Sequence, residues 1–248
     1  MAENKKKKSS WLFKVIVTAL LLIIAVSGYN IAKILWEYHE GTSAYKEIQQ
    51  VANAGAEEKK GEIDFDALKK KNKDVKAWLY SEGTPINYPV VQGPDNQYYL
   101  YRMFNGEYNG KGSLFIDFRC EKPFRDFNTI IYGHRMKDGS MFHDLIEYRD
   151  KSYYEKHKIM QLTTPKKRYD VHVFAVVTIP ADSDLYRFSF HSDVEKENYL
   201  QQILAKNETE MGVSVSSEDH IVMLSTCTYE YDDARLVVYG KLVEREEE

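Results

Sequence analysis

Cys227 closes an apolar run, His220-Ile-Val-Met-Leu-Ser-Thr-Cys227, and the chemistry of the chain is best read outward from it. In a strand, alternation puts Ile221, Met223, Ser225 and Cys227 on one face. A polar stretch, residues 228–234, follows, and Arg235-Leu-Val-Val-Tyr-Gly-Lys-Leu242 resumes strand character. If the two strands are neighbours, thiol and guanidinium share one rim of a sheet. A cation beside a thiol favours the thiolate, which is the attacking species in nucleophilic catalysis. The guanidinium offers a rigid fork of donors, suited to a peptide carbonyl or a developing oxyanion. Ser225, on the nucleophile's face, could hydrogen-bond a bound peptide backbone. Without a third group, however, the plainer reading is a small core hydrophobe and a solvated charge.

His134 supplies that third group. It ends Asn128-Thr-Ile-Ile-Tyr-Gly-His134, an apolar β-branched run, and faces the polar segment Arg135-Met-Lys-Asp-Gly139. An imidazole at a strand end can exchange protons near neutral pH with whatever lies beside it. The other six histidines lack this setting. His39 precedes the body, His143 and His157 fall in expected helices, His172 lies inside a strand, and His191 and His220 belong to loops or strand edges. The two cysteines, Cys120 and Cys227, are too few for a disulfide framework and too far apart for a zinc knuckle. A single disulfide between them is arithmetically open, but the setting of Cys227 favours a free thiol. No spacing of carboxylates demands a metal, so neither metal nor cofactor is expected.

These groups need a scaffold, and the pattern predicts a β-rich one. Short runs rich in Val, Ile and Tyr, bounded by Gly, Pro or Asn, mark strands at 86–91, 113–118, 129–133, 158–163, 169–179, 221–227 and 235–243. Thr164-Pro-Lys-Lys167 reads as a hairpin turn. Helices are expected near 141–148 and over 194–206, the second burying Val194, Tyr199, Ile203 and Leu204. Asp64 should cap a short helix carrying Phe65 and Leu68, and Asp74 another turn bearing Val75, Trp78 and Leu79. Many strands with few helices suggest a closed or nearly closed barrel, which hides its edges.

The N-terminal end is different. Residues 12–36 are predominantly apolar, long enough to span a bilayer, and follow Lys5 to Lys8. The positive-inside rule keeps that basic tail, residues 1–11, cytoplasmic and places the rest outside the cell. A cleaved signal peptide ending near residues 25–27 is the alternative, disfavoured because apolar residues continue through Trp36. A polar, partly helical stalk is expected over 37–62, loosest at 54–61, before a catalytic domain at 63–248. The first 36 residues hold six of the 34 basic and one of the 38 acidic residues. The body is therefore acidic, which argues against nucleic-acid binding.

Tyr-Gly-His134, then Leu-Ser-Thr-Cys227, then Arg235-Leu-Val-Val together resemble the sortase signature, in that order along the chain. Asn87-Tyr-Pro-Val-Val-Gln92, Asp95-Asn-Gln-Tyr-Tyr-Leu100 and Gly112-Ser-Leu-Phe-Ile-Asp117 resemble class B members, so the likeness spans about residues 63–243. Met223 departs from the Thr that many relatives carry, and Thr228 follows the cysteine. The resemblance implies a mostly β fold: an eight-stranded closed barrel with peripheral helices, preceded by a transmembrane helix. It implies a cysteine transpeptidase in which Cys227, His134 and Arg235 are catalytic, with Asn96, Leu100 and Tyr186 lining the substrate groove beside Ser225. The implied donors are surface proteins with a C-terminal sorting motif of the Asn-Pro-x-Thr kind, cleaved after Thr. The implied acceptor is an amine of a peptidoglycan precursor or cross-bridge, and the membrane is engaged through the N-terminal helix. Three other readings remain: a pilin-polymerising sortase with a Lys acceptor, a secreted cysteine protease that only hydrolyses, and a non-catalytic surface binding module.

Overall fold

The computed structural model describes residues 3–53, 62–228 and 230–245. The chain divides into two units, Met1–Thr42 and Ser43–Glu248. Residues 3–42 of the first are part of a single helix, α1 (Glu3–Asn53). From Trp11 onward α1 is long and apolar enough to cross a membrane, and the side chains of its most apolar stretch are unburied.

The end of α1 belongs to the second unit, which revises the expected stalk over 37–62. Tyr45, Ile48 and Ala52 are buried, and Tyr45 meets Tyr88 edge-on at 5.1 Å. The Gln49 side-chain amide donates to the Asn87 carbonyl at 2.8 Å, and Asp64 N–H donates to the Ala52 carbonyl at 2.9 Å. Apolar residues spaced three and four apart explain the docking, since they put one stripe of the helix on the body. The segment expected to be loosest, 54–61, lies outside the described residues. Next, α2 (Phe65–Lys71) starts where expected: the Asp64 carboxylate accepts from Ala67 N–H at 2.8 Å, and Phe65 and Leu68 are buried.

Eight strands then close a barrel in the order β1-β2-β3-β4-β7-β8-β6-β5. They are β1 (Val75–Tyr80), β2 (Asn87–Val91), β3 (Leu114–Ile116), β4 (Asn128–Tyr132), β5 (Ile159–Thr163), β6 (Arg168–Pro180), β7 (His220–Cys227) and β8 (Ala234–Glu244). Residues 75–80 therefore form a strand rather than the capped turn expected after Asp74. Their backbone is paired on both sides, with β2 and with β5, and that pairing overrides the local capping signal. The hairpin between β5 and β6 turns at Thr164, whose hydroxyl accepts Lys167 N–H at 2.9 Å. Two pairs, β2 with β3 and β4 with β7, run parallel. The chain crosses over between them, which is why strand order was not legible from the pattern.

A 3₁₀ helix (His143–Arg149) and α3 (Lys151–Lys156) follow β4, and α4 (Asp193–Lys206) lies between β6 and β7. Tyr199, Leu200 and Ile203 of α4 pack on Ile130, Val177, Ile221, Met223, Val237 and Tyr239. Each such buried side chain contributes about 1.5–3 kcal/mol. Val194 and Leu204, expected inside, are exposed because the face toward the sheet runs through 199, 200 and 203. Alternation along β7 continues the face that α4 covers from Met223 to Ser225 and Cys227.

Candidate active site

The β7–β8 ladder sets the first relationship. The strands are antiparallel, and Cys227 is the direct partner of Arg235, as Ser225 is of Val237. Direct partners in such a ladder have Cβ atoms about 4.5–5.5 Å apart, so thiol and guanidinium leave the sheet side by side. Parallel pairing sets the second relationship, with Tyr132 of β4 opposite Ser225 and Gly133 N–H donating to the Ser225 carbonyl at 3.1 Å. His134 is the next residue and thus emerges beside the Cys227 end of β7. Gly133 permits this approach: a Cβ there would fall 2.5 Å from a Leu114 methyl and 2.6 Å from the Phe142 ring.

Cys227, His134, Arg235, Ser225, Asn96, Leu100 and Tyr186 all line one cavity of 620 Å³. The seven residues singled out in the sequence are thus brought together. A second cavity, of 610 Å³, shares Arg119 with it but contains neither cysteine nor Arg235 and is lined mainly by charged side chains.

Each group is held differently. The His134 ring donates from Nε2–H to the Leu100 carbonyl at 2.6 Å and lies against Tyr101, with ring centres 5.6 Å apart. A carbonyl can only accept, so Nε2 carries the proton and Nδ1 is the other exchanging nitrogen. Arg235 is braced by its Nη1 donating to the Ala234 carbonyl at 3.0 Å and by the exposed Asp233 at 3.9 Å from Nη2. The Tyr186 hydroxyl meets Ser225 Oγ at 2.7 Å, and burial pushes its phenol up to about 12, so it is a neutral hydrogen-bonding group.

Sequence reasoning missed one cluster behind the lining, centred on Asp117. Asp117 is fully buried, and its carboxylate accepts two bonds from the Arg119 guanidinium, at 2.9 and 2.7 Å, one from Asn96 Nδ2 and one from the Tyr132 hydroxyl, each at 3.0 Å. Burial alone would raise that carboxyl, but these donors together hold it below its ordinary value. Burial, with the Asp117 charge, pushes the Tyr132 phenol above its usual range. Asn96, expected only as a groove residue, is therefore also a half-buried strut. Its carbonyl accepts Phe118 N–H at 3.1 Å. The signal that could have found the cluster is Tyr132, the last residue of β4, two residues before His134 and on the wall of the same cavity.

Both cysteines are free thiols. Cys120 is buried, and burial pushes its thiol up to about 11, whereas Cys227 is half-buried at the cavity wall. Among the described residues, no group of three or more His, Cys, Asp or Glu side chains is placed to hold a metal. The arrangement puts a thiol, an imidazole and a guanidinium on the wall of one cavity.

Known proteins resemble the chain in sequence and fold. Residues 79–243 match the sortase domain family. The chain is 36% identical over 243 residues to sortase B of Listeria monocytogenes, covering 96% of this chain and 99% of that one. It is 34% identical to sortase B of Staphylococcus aureus over 228 residues, covering 90% and 93%. The solved complex of Staphylococcus aureus sortase B with a substrate superimposes with a TM-score of 0.79 at 33% identity, covering 85% of this chain and 100% of that one.

Proposed function

The chain belongs to the sortase family of cysteine transpeptidases, and from that premise we propose that Cys227, His134 and Arg235 carry out cell-wall sorting of surface proteins outside the membrane. The observation that carries the reading is the ladder partnership of Cys227 with Arg235 on the wall of a cavity that His134 also lines.

The Cys227 thiolate attacks the Thr carbonyl carbon of an Asn-Pro-x-Thr-like motif in the donor protein. As the tetrahedral intermediate collapses, the peptide C–N bond breaks, and protonated His134 gives a proton to the departing amine through Nδ1. A thioester between Cys227 and the donor remains. An amine then attacks that carbonyl, His134 accepts its proton, and the C–S bond breaks to restore the thiolate. Two covalent steps replace one difficult displacement. Arg235 donates to the carbonyl oxygen as negative charge builds there. Tyr186 and Ser225 bind the motif's backbone, while Asn96 and Leu100 shape the opposite wall. A peptidoglycan precursor or cross-bridge is the proposed acceptor. The basic N-terminal residues stay in the cytoplasm, α1 crosses the membrane once, and the barrel works outside, where such acceptors are found.

Incubating the full-length chain in detergent with an Asn-Pro-x-Thr peptide and excess triglycine tests this. Mass spectrometry should find the amine adduct and, in a quenched sample, a thioester on Cys227. Free acid alone at high amine concentration would instead support a protease that only hydrolyses.

A further inference from the structure

Lys111 is a cation with 1% of its side chain exposed, and no step of the acyl transfer uses it. Its ammonium donates to the Asp138 carboxylate and to Ser140 Oγ, the latter at 2.7 Å. A buried ammonium is tolerated only where it is paired and hydrogen-bonded. Both named partners lie in residues 134–141, the loop that begins with His134. That loop is also closed at its neck, where Phe142 N–H donates to the His134 carbonyl at 3.0 Å and Arg135 bridges Met141. Backbone bonds grip one end of the loop, and Lys111 grips the other.

The next residue reaches the same imidazole by a second route. Gly112 has φ +55°, and a Cβ on it would lie 2.4 Å from the Leu100 carbonyl oxygen and 2.9 Å from that of Tyr99. The Leu100 oxygen is the acceptor of His134 Nε2–H. Ser113 N–H donates to the Tyr99 carbonyl at 3.1 Å, and its hydroxyl donates to the Arg102 carbonyl at 2.8 Å, so the backbone carrying that acceptor is held on both sides. The Gly112 carbonyl in turn accepts the hydroxyl of buried Tyr45, at the end of α1, at 2.5 Å.

We propose that residues 111–113, anchored by Tyr45, form a strut that positions His134. Lys111 sets the loop the imidazole hangs from, and Gly112 sets the carbonyl that fixes its tautomer. Lys111 and Tyr45 are positioning residues, and their role rests on the reading of His134 as the proton carrier. Holding Nε2–H on Leu100 commits Nδ1 to the substrate. A displacement of about an ångström at such a group can cost on the order of a hundredfold in rate.

The test uses full-length protein in detergent, with the same peptide and triglycine. Lys111→Met should lower kcat roughly ten- to a hundredfold and leave KM for the peptide within about twofold. A slowly exchanging His134 Nε2–H proton resonance is expected in the unsubstituted chain and should be lost in this variant. Tyr45→Phe deletes one hydroxyl and should show the same split on a smaller scale, which keeps the proposal testable if Lys111→Met does not fold. Unchanged kcat in folded Lys111→Met or in Tyr45→Phe overturns the strut, as does a lowered kcat with the Nε2–H resonance intact. His134→Ala, run alongside, separates the two readings. Activity retained there removes the proton-carrier assignment itself, whereas an inactive His134→Ala with fully active strut variants removes only the strut.

Discussion

The two walls of the cavity are built by different means. On one, Cys227 and Arg235 are fixed by the hydrogen-bonded ladder of β7 and β8, and their relation follows from register alone. On the other, His134, Leu100 and Asn96 stand on loops held by side-chain contacts: an imidazole on a carbonyl, an amide on Asp117 and an ammonium on Asp138. A ladder has many redundant bonds, so one substitution hardly moves it. A loop held by a few polar contacts shifts when any of them is lost. The nucleophile wall should thus respond to changes in chemistry, and the histidine wall to changes in geometry as well.

Substitutions can break or sharpen this contrast. The largest effect is expected from Cys227→Ala, which should cut transpeptidation at least about a thousandfold and abolish the thioester while leaving the thermal midpoint almost unchanged. Substantial turnover by that variant would remove the ladder wall from the chemistry. Arg235→Lys keeps the charge and the strand pairing but loses the fork. It should lower kcat about a hundred- to a thousandfold, and a drop below tenfold would mean that charge alone suffices. Tyr186→Phe removes the hydroxyl against Ser225, a contact worth about 1 kcal/mol, so kcat/KM for the peptide should fall roughly fivefold. A larger loss would show that loop residues matter on the nucleophile side too.

The smallest expected effect concerns the loop that joins the two ladder residues. Burial would raise the Glu230 carboxyl, but the Thr228 hydroxyl and Arg149 bonded to it hold it down to about 2. Because the folded value lies below the ordinary 4.5, its stabilisation is fully present above that pH and is lost as pH falls toward 2. Glu230 is partly exposed, so Glu230→Gln should move the thermal midpoint at neutral pH by no more than a few degrees and flatten its decline between about pH 5 and 2. An unchanged acid profile would mean that the bond to Arg149 does not steady the loop.

The same contrast explains what the amino-acid pattern disclosed. Strand-end positions are legible, because alternation and a polar break placed Cys227, Arg235 and His134 at element ends before any coordinates. Asn96, Leu100 and Tyr186 were reached only through resemblance to a family, since no local periodicity marks a loop that folds back on a cleft. Asp117 was passed over: a lone carboxylate after a strand gives no sign that a guanidinium, an amide and a phenol converge on it. The end of α1 read as stalk because its apolar stripe is short and its neighbours are charged. The β1 strand read as a capped turn because its pairing partners lie far along the chain.

Register pairing of Cys227 with Arg235 has one more consequence. The offset between sulfur and guanidinium is set by bonds across the sheet and not by the length of chain that connects them. The segment between them can therefore change in length without altering that pairing, so long as Asp233 stays to brace the guanidinium.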